Sequence, residues 1–303
     1  MRDENSWLLE RFEEDRTRLR AVAYRMLGSA SEADDALQET WLRVSRADTG
    51  EIRNPPGWLT TVVARVCLNM LRTRASRREE PLDVPGRPDE ARAAGAREGE
   101  YEGQYAPEEE AVLADSVGLA LLVVLDTLAP AERLAFVLHD MFAVPFGEIA
   151  PMIERSPAAA RQLASRARRR VKGASPLSEA DLARRRHVVE AFMAASRGGD
   201  FEALVALLDS DVILRADRAV GPTPAPVLLR GARQVAEGAS RSAARVRFTR
   251  PALVNGSPGL VMAPGGRLFL VLAFTITDDK VTEIDIIADA DRLGRVEVAV
   301  LDA

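Results

Sequence analysis

The chain has 303 residues, 47% of them hydrophobic, enough to bury the interiors of two or three domains. Its 41 Lys and Arg stand against 46 Asp and Glu, a net charge of −5 at pH 7, so any affinity for nucleic acid must come from a local patch. A single cysteine, Cys67, excludes an intrachain disulfide and a Cys-rich zinc centre, and His139 and His187, far apart in sequence, argue against a His-based metal cluster; no metal or cofactor is expected.

The opening MRDENSWLLERFEEDR is charged and no 18-residue apolar run follows, which predicts a soluble cytoplasmic protein without a membrane segment. Residues 1–75 then show apolar side chains at helical spacing: Leu8, Phe12, Leu19, Val22, Met26; Ala36, Leu37, Trp41, Val44; and Trp58, Leu59, Val63, Val66, Leu71. Gly28-Ser29 should end the first helix, Ser31 with Asp34 resembles a capping box opening the second, and Asn54-Pro55-Pro56-Gly57 should break the chain before the third. On the second helix Asp34, Asp35, Gln38 and Glu39 form an acidic, polar face beside Trp41, either a solvated face or a protein-docking surface. The third carries Arg65, Asn69, Arg72, Arg74, Arg77 and Arg78, a basic stripe suited to distorted or single-stranded DNA, with Trp58 as an aromatic platform or as core.

Residues 76–108, rich in Pro, Gly, Ala and Glu, predict a flexible acidic linker. Helical pattern returns near Glu109 and continues to residue 173. Within it PFGEIAPMIERSPAAARQLASRARRRVK predicts two short helices joined by a tight turn, a helix-turn-helix. Ser156 is placed to accept from the first free amides, with Pro157 at the first helical position. Ala158, Arg161, Gln162 and Ser165 share one neighbourhood, where small Ala158 permits close approach and Arg161 and Gln162 can reach base edges. Arg166, Arg168, Arg169, Arg170 and Lys172 suit phosphates, or form a solvated basic helix end.

After a joint at residues 174–180, residues 181–303 begin with helical periodicity and turn to alternating strand-like runs: DVILRAD, APVLLRG, ARVRFTRPALV, GLVMAP and GRLFLVLAFTITDDKVTEIDIIAD. Helices first and strands afterwards predict an α+β domain whose curved sheet wraps its helices. Its titratable candidates, His187, Asp211, Asp217, Glu283 and Asp285, form no convincing acid/base set, so no catalytic residue is assigned and no enzyme is expected.

Residues FEEDRTRLRAVAYRMLGSASEADDALQETWLRV and NPPGWLTTVVARVCLNMLR resemble region 2 of bacterial extracytoplasmic-function sigma factors, and LDTLAPAERLAFVLHDMFAVPFGEIAPMIERSPAAARQLASRARRRV resembles their region 4. The C-terminal segment resembles the SnoaL-type domain of the SigJ-like subgroup, although ADADRLGRV and LRADRAVGPTPAPVLLRG replace that subgroup's Asn-Pro-Asp-Lys-Leu and Asp-Gly-Gly-Gly motifs. The resemblance implies two all-α sigma-factor domains, the second with the helix-turn-helix, followed by an α+β NTF2-like cone with a regulatory role and an unknown small-molecule ligand. It implies that Asp34, Asp35, Gln38, Glu39 and Trp41 dock on the β′ clamp of core RNA polymerase. Asn54, Trp58, Arg65, Asn69 and Arg72, with the preceding loop 48–54, would open the minus-10 promoter element. Ser156, Ala158, Ala159, Arg161, Gln162, Ser165, Arg166 and Arg169 would enter the minus-35 groove while region 4 leans on the β flap. The alternative is a stand-alone helix-turn-helix regulator whose NTF2-like domain senses a ligand or, less readily, carries catalysis.

Overall fold

In a computed structural model, residues 6–46, 52, 54–79, 118–218, 220 and 225–301 are described. Of the expected loop 48–54 only Ile52 and Asn54 are among them, and the acidic linker beyond Glu79 and the helical restart near Glu109 lie outside them.

Helix α1 (Ser6–Leu27) buries Leu8, Phe12, Leu19, Val22 and Met26, an inward stripe at three-, four- and seven-residue steps. It stops at Gly28, whose φ of 83° suits glycine and whose N–H closes the last turn on the Tyr24 carbonyl at 2.8 Å. Helix α2 (Ala30–Val44) buries Ala33, Ala36, Leu37, Thr40 and Val44. The expected capping box is not formed. Ser29 takes the N-cap position, the Ser29 and Ser31 hydroxyls bond each other at 2.9 Å, and Asp34 is held by the Arg20 guanidinium at 2.7 Å. A two-point bond between charged groups outcompetes a bond to one amide. Helix α3 (Pro55–Glu79) starts inside the motif expected to break the chain. Asn54 Oδ1 accepts from the Gly57 N–H at 3.2 Å, and Pro55 sits where a missing N–H costs nothing.

Helix α4 (Leu119–Thr127) is followed by α5 (Pro130–Phe136), which runs into a single π-helical turn, Val137–Met141. The short α6 (Phe146–Ile149) tightens into a 3-10 turn, Ala150–Met152, and α7 (Pro157–Lys172) completes the helical part. The chain divides into two compact units, Met1–Pro85 with Leu125–Arg170, and Gly86–Val124 with Val171–Ala303.

Within the first unit α5 packs on α1 and α3 through Arg133, only 2% exposed. Its Nε–H donates to the Arg25 carbonyl at 3.2 Å, Asp126 lies 3.6 Å away, and its Nη2 has no partner among the described residues. Burial pushes the Arg133 guanidinium down to about 10, against the pull of Asp126. Burial likewise pushes the Cys67 thiol up to about 12, which leaves it protonated and unreactive at neutral pH.

In the second unit α8 (Glu179–Gly198) starts on Ser178, which accepts from the Asp181 N–H at 3.1 Å, and ends at Gly199 with φ of 67°. After α9 (Phe201–Leu207) come β1 (Leu208–Ala216), β2 (Val227–Arg230), α10 (Ala232–Arg241), α11 (Ala243–Val246), β3 (Arg250–Val254), β4 (Ser257–Met262), β5 (Leu270–Thr277), β6 (Lys280–Ile287), α12 (Ala290–Leu293) and β7 (Val298–Ala299). The run ARVRF, expected as strand, contributes α11 instead, a single turn packed on α8 and α10 in which Val246 is buried. Val189 and Phe192 of α8, Val235 of α10, and Val212, Leu260, Phe274 and Ile284 of the sheet form the main core, with Phe192 and Phe274 edge to face at 5.3 Å. A smaller cluster of Ala252, Val254, Val261, Val271 and Ile287 makes a second core.

The sheet corrects the expected cone. Among the described residues its seven strands run in the order β2-β1-β6-β5-β4-β3-β7, an open sheet in which the edges β2 and β7 do not pair with each other. Alternating side chains set which face of a strand is buried but leave the pairing of sheet edges undetermined. Nor does alternation reveal that β1 pairs parallel to β6, the one parallel junction among the described strands.

Candidate nucleic-acid interface

Helix α7 carries the strongest site. Ala160, Ala164, Ala167 and Val171 are buried, so the opposite face presents Ala158, Arg161, Gln162, Ser165, Arg166 and Arg169, all exposed, with Ala159 half-buried beside them. Small apolar residues on the inner face let α7 sit close against the rest of the helix-turn-helix while its polar face stays in solvent. Ser156 caps it as expected, its hydroxyl accepting from the Ala159 N–H at 3.2 Å. The turn before it uses Glu154 at φ 55°. Of the five cations at its end two are engaged within the unit, Arg168 with Asp140 at 2.6 Å and Arg170 with Glu132 at 3.3 Å. Arg166, Arg169 and Lys172 are exposed without a carboxylate partner among the described residues, an arrangement that attracts phosphates.

On α3, Arg65, Asn69 and Arg72 are exposed at steps of four and three, one continuous stripe. Trp58, two turns before Arg65, is half-buried, between platform and core. Asn54 is committed through its side chain to capping α3, and Arg74 is paired with Glu32 of α2, which removes it from the stripe.

On α2, Asp35, Gln38 and Glu39 are exposed, and Glu39 pairs with Arg43 at 2.8 Å. Asp34 faces Arg20 instead of standing free. Trp41 packs edge to face on Phe12 at 5.2 Å, and with Leu9, Glu10, Glu13 and Glu14 of α1 it lines an open groove. The sequence reading missed Leu42, 43% exposed and four residues after Gln38, which puts an apolar side chain on the same face; that spacing was the available signal.

Three of the four candidate acids of the C-terminal domain, Asp217, Glu283 and Asp285, are tied up by arginines. Glu283 lies 3.4 Å from Arg215 and Asp285 lies 2.6 Å from Arg292. Asp217 accepts from the Ala288 and Asp289 N–H groups at 2.9 and 3.0 Å and pairs with Arg292. Burial raises its carboxyl pKa, but those donors outweigh burial and hold it below the usual carboxylate range. His187 and Asp211 are exposed. Among the described residues no group of three or more His, Cys, Asp or Glu is placed to hold a metal ion. No helix among them is long and apolar enough to cross a membrane.

A three-helix domain with a polar, partly acidic docking face, followed by a helix-turn-helix with an exposed reading face, defines a promoter-directed transcription factor of the sigma-70 class. Residues 11–77 match the Sigma-70 region 2 family and residues 118–171 the Sigma-70 region 4 family. The chain is 37% identical over 307 residues to the "ECF RNA polymerase sigma factor SigJ" of Mycobacterium tuberculosis, covering 93% of this chain and 91% of that one. It is 33% identical over 275 residues to the "Probable ECF RNA polymerase sigma factor SigI" of the same organism, covering 90% of each. The chain belongs to the extracytoplasmic-function (ECF) RNA polymerase sigma factors. The crystal structure of M. tuberculosis SigJ, 34% identical, covers 94% of this chain and 97% of its own with a TM-score of 0.44, so sequence rather than superposition carries the relation. As a member of that family the protein works with core RNA polymerase at promoters to initiate transcription, a non-enzymatic function.

Proposed function

We propose that the division of labour within this sigma factor follows the exposed faces. Asp35, Gln38, Glu39, Trp41 and the newly found Leu42 dock α2 on the β′ clamp of the polymerase, with Asp34 acting through its bond to Arg20. Trp58, Arg65, Asn69 and Arg72 meet the minus-10 element, where exposed cations and a partly exposed indole suit a strand leaving the duplex. Asn54 holds the start of that helix and the edge of the loop before it. Helix α7 enters the minus-35 major groove, Arg161 and Gln162 at base edges and Arg166 and Arg169 on phosphates, while region 4 leans on the β flap. The observation that carries this assignment is the separation on α7 of a buried alanine face from an exposed Arg-Gln-Ser face.

The domain boundaries proposed are residues 1–75 for region 2, 76–108 for the linker, 109–173 for region 4, 174–180 for a joint and 181–303 for a regulatory domain of SnoaL-type descent. Its regulatory role, and a small-molecule ligand for it, rest on its covalent attachment to the promoter-reading regions. The protein acts in the cytoplasm, where its polymerase and promoters are. The deciding experiment is retention of core RNA polymerase by the full chain beside a triple variant, Asp35→Ala, Gln38→Ala and Trp41→Ala, followed by run-off transcription on genomic fragments. The wild type retains polymerase and starts transcripts that the variant does not; equal retention by both removes α2 from the docking surface. A chain ending at Gly173 that gives unchanged polymerase binding and output removes the regulatory role.

A further inference from the structure

The helix-turn-helix and the π-helical turn before it share a stack of rings and charge that the sequence did not foreshadow. His139 lies in the π-helical turn, and its Nδ1–H donates to the Val144 carbonyl at 3.0 Å, which fixes the tautomer and the plane of the imidazole. That tight return of the chain is shaped by Ala143 at φ 55° and by the Val144 N–H bond to the Leu138 carbonyl at 2.9 Å. Phe146, the first residue of α6, stacks on the imidazole with ring centroids 3.8 Å apart and planes 27° from parallel. The Arg161 guanidinium of α7 lies over the Phe146 ring, 5.5 Å from its centroid. The three groups thus run from a backbone carbonyl, through two rings, to a cation on the reading face.

We propose that Phe146, seated on His139, is a positioning residue that aims the Arg161 guanidinium for base recognition. An exposed arginine samples many rotamers, and ordering it on contact with DNA costs side-chain entropy. A flat aromatic face attracts the guanidinium and narrows that range before contact, while leaving its N–H fork available for two-point bonding to a base edge. Phe146 is half-buried, so the ring is held in place by the protein yet lies where the arginine can use it. Gln162, next to Arg161, has no such platform among the described contacts, so discrimination should be sharper at the base pair read by Arg161.

This inference rests on Arg161 reading a base, and the test separates the two. The upstream element of a genomic fragment from which the holoenzyme initiates is randomised, and base preference at each position is taken from the transcripts made by the wild type and by Arg161→Ala, Phe146→Leu, Phe146→Tyr and His139→Gln. Arg161→Ala flattens preference at one position. Phe146→Leu weakens preference at that same position by about two- to fivefold, the worth of an exposed cation–π contact, with other positions unchanged. Phe146→Tyr restores it, and His139→Gln, which keeps the phenyl ring but removes its seat, falls between. If Arg161→Ala flattens a position and neither Phe146→Leu nor His139→Gln does, the positioning role is overturned while base reading stands. A uniform loss at all positions with Phe146→Leu and His139→Gln also overturns it, since the stack then serves only the fold. No change with Arg161→Ala overturns base reading and the inference together.

Discussion

At the end of α7, Arg168 and Arg170 meet Asp140 and Glu132, whereas Arg166, Arg169 and Lys172 point into solvent. Composition alone treats these cations as one patch, yet only a side chain without an internal carboxylate can displace a condensed counterion without first breaking a bond. Arg166→Ala and Arg169→Ala should each lower holoenzyme affinity for all duplexes alike and reduce the dependence of log K on log salt by about one. Arg168→Ala should leave that slope near its wild-type value and instead loosen the hold of α7 on the Asp140 turn. Titration at several salt concentrations checks this, and an equal fall in slope for Arg166→Ala and Arg168→Ala would show that the internal pairs open on DNA. The same pairing logic accounts for the C-terminal acids, where Arg215 and Arg292 neutralise Glu283 and Asp285.

Among the elements, the start of α3 ties fold to function most directly, because Asn54 is both the cap of the helix and the edge of the loop proposed to meet the minus-10 element. Asn54→Ala removes the cap and should cost about 1 kcal/mol, whereas Asn54→Asp keeps an accepting oxygen and should preserve stability. If Asn54 also donates to a base, Asn54→Asp loses promoter opening while melting like the wild type; if it only caps, Asn54→Asp opens promoters normally. Permanganate reactivity of promoter thymines beside a thermal melt separates these outcomes. Helical spacing made α1, α2 and α3 legible, since a stripe such as Leu8, Phe12, Leu19, Val22 and Met26 admits few other structures. The faces of α7 were legible for the same reason. The bonds of Asp34 to Arg20 and of Asn54 to Gly57 were not legible, because those partners are visible only once the helices are packed and capped. The cone was misread because edge pairing between β2 and β7 is a property of the whole sheet, and α11 because its four residues are too few to show a period.

On the scale of the molecule, sequence units and spatial units do not coincide. The region 4 match spans residues 118–171, but residues up to Val124 group with the C-terminal unit and those from Leu125 with region 2. Region 4 is therefore not an independent bead on a linker; its helix-turn-helix shares a unit with α1 and α3. The residue at the centre of that shared packing is Arg133, a cation nearly sealed from water with one nitrogen unpaired among the described residues and a carboxylate at 3.6 Å. A desolvated charge so incompletely compensated raises the energy of the packed arrangement. Arg133→Met should therefore leave thermal stability unchanged or raise it, because of the two groups it abandons Asp126 is 26% exposed and can be rehydrated, and the neutral Arg25 carbonyl costs less to leave unpaired than the guanidinium costs to bury. Hydrogen exchange should slow across α5 in that variant, and a fall in melting temperature with faster exchange would refute the account. The consequence is a built-in spring: any parting of α5 from α1 and α3 would return the guanidinium to water, and that rehydration would offset part of the cost of separating them.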